Sequence, residues 1–287
     1  MTKALDLDAL QIFRTVAEQG GITRAAHKLN RVQSNVTTRV KQLEGHLGTV
    51  LFRRHARRLT LSPEGELLLA YADELLRLAS EAQAAVKSGT PRGVFRIGTL
   101  ESTAATRLPP VLSRYHLACP EVQIELVTGT SGALVSRVHA FEIEAAFVAE
   151  PFTAEGLAMQ HAFSEELVVI QPRGAPKVRG PRDIGGRTVI AFAAGCSYRR
   201  RLEEWLGTEG VVAPRVMEFG SYHAIIACVA AGTGVAIVPK SVLRAAAAEN
   251  QVITGKLPRR ISMARTMLVW RKGHHSIALD ALRKELA

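Results

Sequence analysis

The chain has 287 residues, with 37 Lys and Arg against 26 Asp and Glu, a net charge of +11, and 47% hydrophobic residues. That apolar share excludes a disordered polyelectrolyte, the length allows two or three domains with cores of their own, and the positive balance favours a polyanionic partner. Three cysteines at irregular spacing (Cys119, Cys196, Cys228) exclude a disulfide framework and a zinc pattern, and they suit a reducing compartment.

The opening MTKALDLDALQIF carries acids where a secretory signal needs a continuous apolar stretch. The longest uncharged apolar run, Ala224 to Pro239, is too short to span a bilayer. A cytoplasmic protein with no membrane partner is therefore expected. A first helix over about Leu7 to Gln19 would bury Leu7, Leu10, Phe13, Val16 and Ala17. Ala25, Ala26 and Leu29 then share a face of a second helix, and Val36, Val40, Leu43 and Leu47 form the apolar stripe of a third. Asn30, Arg31 and Val32 lie between them, the length of a helix-turn-helix connection.

The outer face of the third helix offers Gln33, Ser34, Asn35, Thr37, Thr38, Arg39 and Lys41, the amides, hydroxyls and cations that read base edges in a major groove. A solvated amphipathic hairpin is the plainer reading, and charge argues against it. From Arg14 to Arg58 there are ten Lys or Arg but only two acids, Glu18 and Glu44, and a solvated face usually mixes signs. Leu51 to Leu61 follows as two short strands around a basic tip with Arg53, Arg54, Arg57 and Arg58, which suits a wing on a DNA backbone.

Ser62-Pro63-Glu64 opens a long helix with a hydroxyl cap, a proline at the first position and an acid near the positive dipole end. Leu68, Tyr71, Leu75, Leu78, Ala82 and Ala85 alternate steps of three and four, the seam of a coiled coil, widened by Leu67, Leu69 and Leu76. A second copy of the chain is expected there; packing on the chain's own body is the alternative. Ser88 to Gly93 supplies a hinge.

From Val94 short apolar runs alternate with helical patterns, at 94–99, 122–128, 145–149, 167–171, 188–192, 216–219, 235–238 and 267–271. This predicts an α/β domain with mostly parallel strands and a ligand site where strand ends meet helix starts. Small polar residues gather at four such ends, in Leu100–Thr103, Thr128–Gly132, Ala194–Arg199 and Gly220–His223.

The N-terminal third resembles the DNA-binding domain of LysR-type transcriptional regulators. Thr23, Ala25, Ala26, Leu29, Gln33, Val36, Arg39, Leu43, Glu44, Leu47, Gly48, Leu51, Phe52, Arg53, Leu61 and Gly65 fit that family's pattern in one register. Val32 departs from it, standing where the family usually has a capping Ser, at about 1 kcal/mol of cap stability. Ala230 to Pro239 resembles the family's late Gly-x-Gly-to-Pro stretch.

The resemblance implies a winged helix-turn-helix domain at 1–61, a linker helix and hinge at 62–92, and an effector-binding domain at 93–287 shaped like a periplasmic-type solute-binding protein. Its first subdomain would take about 93–163 and 267–287, and its second about 164–266. Thr23 and Arg31 join the DNA-facing candidates. Ser102, Thr103, Thr128, Thr130, Tyr198 and Ser221 would line the cleft, and Phe147 is added as a contact. Arg199 would pair with an effector carboxylate, whereas Glu101 would hold an ammonium group; together they suggest a zwitterion, with His223 donating further hydrogen bonds. The implied partners are an inverted-repeat operator in double-stranded DNA, a small-molecule effector, RNA polymerase, and further copies of the chain as a homodimer or homotetramer. No resident cofactor is expected.

An enzyme or an exported transport receptor is the rival class. The sequence carries no nucleophile elbow, phosphate loop or helical His pair, and His274-His275 reads as loop. Cys196, next to the arginine run Arg199 to Arg201, is the one candidate for redox sensing, and Cys228 reads as core.

Overall fold

The computed structural model describes residues 5–55, 58–88 and 90–286, with the side chains of 54, 55, 58, 81 and 84–88 left aside. Two compact units divide the chain between Thr90 and Pro91.

The first unit begins with α1 (Leu7–Gln19), α2 (Ile22–Lys28) and α3 (Gln33–Leu47). Asp6 caps α1 by accepting the Asp8 N–H, and Gly20 ends it in the left-handed region at φ 61°. Leu10, Ile12, Phe13 and Val16 are fully buried, and Phe13 packs on Phe52 with ring centroids 5.3 Å apart. Leu7, expected in this core, is instead exposed on the first turn. Ala25 and Ala26 are buried where α2 meets its neighbours, because only a methyl fits that approach. Asn30 closes the turn at φ 51°, and the Arg31 N–H donates to the Ala26 carbonyl at 2.9 Å. Leu47, at the end of the α3 stripe, is largely exposed.

The wing is β1 (Phe52–His55) paired antiparallel with β2 (Arg58–Leu61). Glu44 binds it to α3, its Oε1 accepting the Leu51 N–H at 2.8 Å and the Phe52 N–H at 3.3 Å. Ser62 caps α4 (Pro63–Ser88) as its sequence predicts, accepting the Gly65 N–H and donating to the Val50 carbonyl. A Cβ at Gly65 would lie 2.2 Å from the Leu51 carbonyl oxygen, so glycine is the residue that lets α4 leave the wing this closely. The α4 stripe divides in two. Leu68, Leu69, Ala72 and Leu76 pack inward with Leu10 and Phe13, which corrects the expectation that Leu68 belongs to the outer seam. Leu67, Tyr71, Leu75 and Leu78 remain exposed along one side, Leu78 at 46%, and Ala82 is exposed beyond them. The Ala85 side chain and Gly89 lie outside what is described.

The second unit starts with β3 (Gly93–Thr99), α5 (Glu101–Thr106), α6 (Leu108–Ala118), β4 (Val122–Thr128), α7 (Ser131–His139) and β5 (Ala145–Ala149). Here β3 pairs in parallel with β4 and β5. The 16-residue β6 (Leu157–Pro172) follows, then β7 (Thr188–Ala191), α8 (Ser197–Gly207), β8 (Arg215–Glu218), α9 (Tyr222–Ala230) and β9 (Ala236–Pro239). The chain closes with α10 (Lys240–Ala245), β10 (Val252–Gly255), α11 (Arg259–Ser262), β11 (Met263–Arg271) and α12 (Ile277–Lys284). The main sheet runs β10-β6-β11-β5-β3-β4, with β9 also on β6 and a separate parallel pair β7-β8.

The sheet is therefore mixed, not mostly parallel. β6 is the cause: its first half pairs antiparallel with β11, and its second half carries β9 and β10, also antiparallel. One strand thus serves both lobes, and β11 shifts register between Thr266 and Met267 where it runs alongside. One lobe has its core at Phe95, Ile97, Tyr115, Phe147 and Trp270. The larger cluster gathers Ile190, Trp205, Ile226, Ile237 and Val242 of the other lobe and continues to Leu134 and Val148. His274, which reads as loop, is buried with its Nε2 3.5 Å from Glu144.

Candidate nucleic-acid interface and effector cleft

In the first unit, Gln33, Ser34, Asn35, Thr38 and Lys41 are exposed along the start and outer side of α3, and Thr23 is exposed on α2. Thr37 turns back, its Oγ1 donating to the Gln33 carbonyl at 2.9 Å. Val32 supplies no side-chain cap and is 70% exposed, so the first amides of α3 keep no side-chain acceptor.

The basic residues fall into two groups. Arg14, Arg24, Lys28 and Arg31 are tied to the protein itself: Arg14 to Glu18 and Asp73, Arg24 to the Gln19 and Gly20 carbonyls, Lys28 to Glu18. Arg31 grips Asp8 with two hydrogen bonds of 2.9 and 2.6 Å, and this guanidinium holds the Asp8 carboxyl below its usual range. Arg31 thus braces the turn against α1 in this structure. Arg39 is held more loosely, 3.7 Å from Asp6 and 3.9 Å from Asp8, while Lys41 and Arg53 carry no ion pair among the described residues. Arg57 and the side chains of Arg54 and Arg58 lie outside what is described. The sequence window from Arg14 to Arg58 missed Asp6 and Asp8, which sit just before it.

In the second unit the two lobes meet at two serines. Ser131 opens α7 and Ser197 opens α8, and their Oγ atoms are 2.9 Å apart. Both sit on the Ala149 peptide, whose carbonyl accepts from Ser197 Oγ at 2.6 Å and whose N–H donates to Ser131 Oγ at 3.1 Å. Neither serine was singled out from sequence, although each is a hydroxyl at a helix start, within the strand-end segments Thr128–Gly132 and Ala194–Arg199.

Beside this contact lies a slot of about 20 Å³, lined by Glu101, Ser102 and Thr130 from one lobe and Phe192, Cys196, Tyr198 and Tyr222 from the other. Glu101 Oε1 accepts the Tyr222 N–H at 3.3 Å. Burial pushes the Glu101 carboxyl above its usual range, opposed by that amide and by the charge of His223. Gly195 has φ 89°, and a Cβ there would lie 3.0 Å from Thr130 Oγ1, so the loop before α8 passes close to α7 only as glycine. A broader hollow of about 940 Å³ opens on the far side of the serines, between Val135 and Ser136 of α7 and Arg199 and Arg200 of α8.

Of the residues expected at the cleft, Glu101, Ser102, Thr130 and Tyr198 come together in the slot, and Ser221 lies next to it as the N-cap of α9. His223 is exposed on the first turn of α9, and Thr128 is exposed at the end of β4. Thr103 is buried behind the slot and does not line it. Phe147 is a correction: it has no exposed surface and stacks on Phe163 at 5.8 Å within the core, because every residue of β5 is covered on both faces. Arg199 is another, spending its guanidinium on Glu203, Glu218 and the Phe192 carbonyl and lining the broad hollow, not the slot. The Cys196 thiol is pushed up by burial, which opposes redox sensing. Among the described residues no cluster of three or more His, Cys, Asp or Glu could hold a metal, and no helix is long and apolar enough to cross a membrane.

A winged helix-turn-helix followed by a long helix and a two-lobed α/β domain defines a DNA-binding regulator with a small-molecule domain. Two family models match, the bacterial regulatory helix-turn-helix of the lysR family over residues 7–66 and the LysR substrate binding domain over 88–287. The chain is 37% identical over 269 residues to the HTH-type transcriptional regulator GltR of Bacillus subtilis strain 168, covering 93% of this chain and 91% of that protein. Its fold is shared with a full-length OxyR variant from Pseudomonas aeruginosa, at TM-score 0.75 and 19% identity over 99% of this chain and 95% of that one. Full-length CbnR complexed with its target DNA also shares it, at TM-score 0.67 and 22% identity over 98% and 99%. The chain belongs to the LysR family of DNA-binding transcriptional regulators, with an effector-binding C-terminal domain.

Proposed function

We propose that the chain is a cytoplasmic regulator that reads an inverted-repeat operator as a homodimer, or as a tetramer of two such dimers, and answers to a small molecule held in the interlobe slot. The working divisions are a DNA-binding domain at 1–61, a linker helix and hinge at 62–92, and an effector domain at 93–287. The exposed polar start of α3 carries this reading: Gln33, Ser34 and Asn35 are offered to base edges, with Thr38, Arg39 and Lys41 beside them and Arg53 on the wing. Exposed Leu67, Leu75 and Leu78 on α4 support pairing of two copies, which DNA symmetry also favours. Effector binding would change how the lobes meet at Ser131 and Ser197, respace paired DNA-binding heads, and alter their contact with RNA polymerase, a coupling free energy between two sites.

Titration of the full-length protein against its operator and a scrambled duplex tests the reading. Operator binding should be stronger by orders of magnitude. Arg39→Ala should weaken it about tenfold or more without altering the fold. Equal affinity for both duplexes sinks the proposal.

A further inference from the structure

We propose that the interlobe slot takes a cationic amine, whose ammonium group donates to Glu101 Oε2, and not a carboxylate. This rests on the slot being the effector site and names the chemistry of its ligand.

Glu101 already places a carboxylate at the slot, where a second anion would be repelled. The Tyr222 N–H at the start of α9 donates to Glu101 Oε1. On α7 the Ala133 N–H donates to Thr130 Oγ1. The Arg199 guanidinium, on the first turn of α8, is paired with Glu203 and Glu218. Glu101 itself is therefore the anion that sits among these helix starts.

Three oxygens at the slot are left unmatched among the described residues, one of a carboxylate, which accepts when ionised, and two of hydroxyls, which can accept or donate. Glu101 Oε2, Ser102 Oγ and Tyr198 Oη are all buried, and none makes a hydrogen bond. Ser102 is 2% exposed and Tyr198 4%, so water does not reach them freely. Buried acceptors of this kind are expensive to leave unmet, most of all a carboxylate oxygen. An ammonium group would give Glu101 Oε2 a charge-assisted donor and would bring the raised Glu101 carboxyl back down. The slot of about 20 Å³ holds a head group of roughly one water's size. Phe192 and Tyr222, whose ring centroids lie 4.6 Å apart, also line the slot. A ligand with any larger body needs the serine contact between the lobes to part.

Benzylamine and benzoate, with the same ring and opposite head charges, separate the alternatives in calorimetric titration and thermal melts of the full-length protein at neutral pH. Benzylamine should bind and raise the melting temperature, and benzoate should not. Glu101→Gln should weaken the amine about tenfold or more, and Ser102→Ala severalfold. Retained operator binding shows that each variant is folded. Tighter binding of benzoate, unchanged amine affinity in Glu101→Gln, or no binding by benzylamine, methylamine or phenethylamine overturns the proposal. Thr130→Trp, which fills the slot, tells the two failures apart. Benzoate binding abolished by Thr130→Trp sinks only the amine assignment, whereas ligand binding that survives it sinks the slot as the effector site.

Discussion

The two units treat polar atoms in opposite ways. On α3, Gln33, Ser34 and Asn35 stand in solvent and the helix start lacks a side-chain cap, whereas in the lobed unit Ser131, Ser197, Ser102 and Tyr198 are buried at helix starts. A surface that must meet a large, hydrated polyanion gains by leaving its donors wet and its cations unpaired. A site for a small molecule gains by withdrawing a few polar atoms from water, where each contact counts for more. The pattern of charge pairing follows the same division, since Arg31 and Lys28 pair with Asp8 and Glu18 of α1 while Lys41 and Arg53 have no ion pair among the described residues.

The contrast can be broken most forcefully at Phe13, which is fully buried and packs at a tilt against Phe52. Phe13→Ala should cost about 3–5 kcal/mol. Hydrogen exchange should show lost protection across residues 7–61 with little change beyond 93; a uniform loss over both units would mean they do not unfold separately. Next comes the buried serine pair. Ser197→Ala removes hydrogen bonds to Ser131 and to the Ala149 carbonyl, which still bond each other, and should cost about 1 kcal/mol, read as a lower melting temperature of the lobed unit.

Val32→Ser sharpens the comparison by adding a cap where the wet helix start has none. It should stabilise the first unit by about 1 kcal/mol, measured in denaturant titrations. The smallest effect is expected at Asp8. Its folded-state pKa is held below the usual value by Arg31, so the stabilisation is present at neutral pH and is lost as pH falls through the folded value. Asp8→Asn should flatten the stability of the first unit below about pH 4, and an unchanged acid limb would remove the pair from that role.

Much of the first unit was legible because its signals are local. The α1 limits, the Ser62 cap of α4 and the alanines of α2 follow from periodicity and end signals within a dozen residues. Leu7 and Leu68 were misplaced for the same reason: a stripe shows which residues are apolar, not which edge of it a neighbour covers. In the second unit the strands at 94–99 and 145–149 were readable, yet β10 was missed and β6 was taken as a short strand at 167–171. The first half of β6, Leu157–Glu166, mixes polar and apolar residues because β11 covers it unevenly, so no clean run marks it.

The sequence by itself determined the helix-turn-helix, the basic bias of its outer face and the α/β character of the rest, since each depends on residue order over short spans. Only the tertiary structure decided which hydroxyls meet between the lobes, that Arg199 is spent on Glu203 and Glu218, that Phe147 belongs to the core, and that Glu101 keeps an unmatched oxygen. Most of those facts join residues far apart in the chain, and whether a polar atom is matched or left wanting depends on angstrom-scale distances that only the packed chain sets.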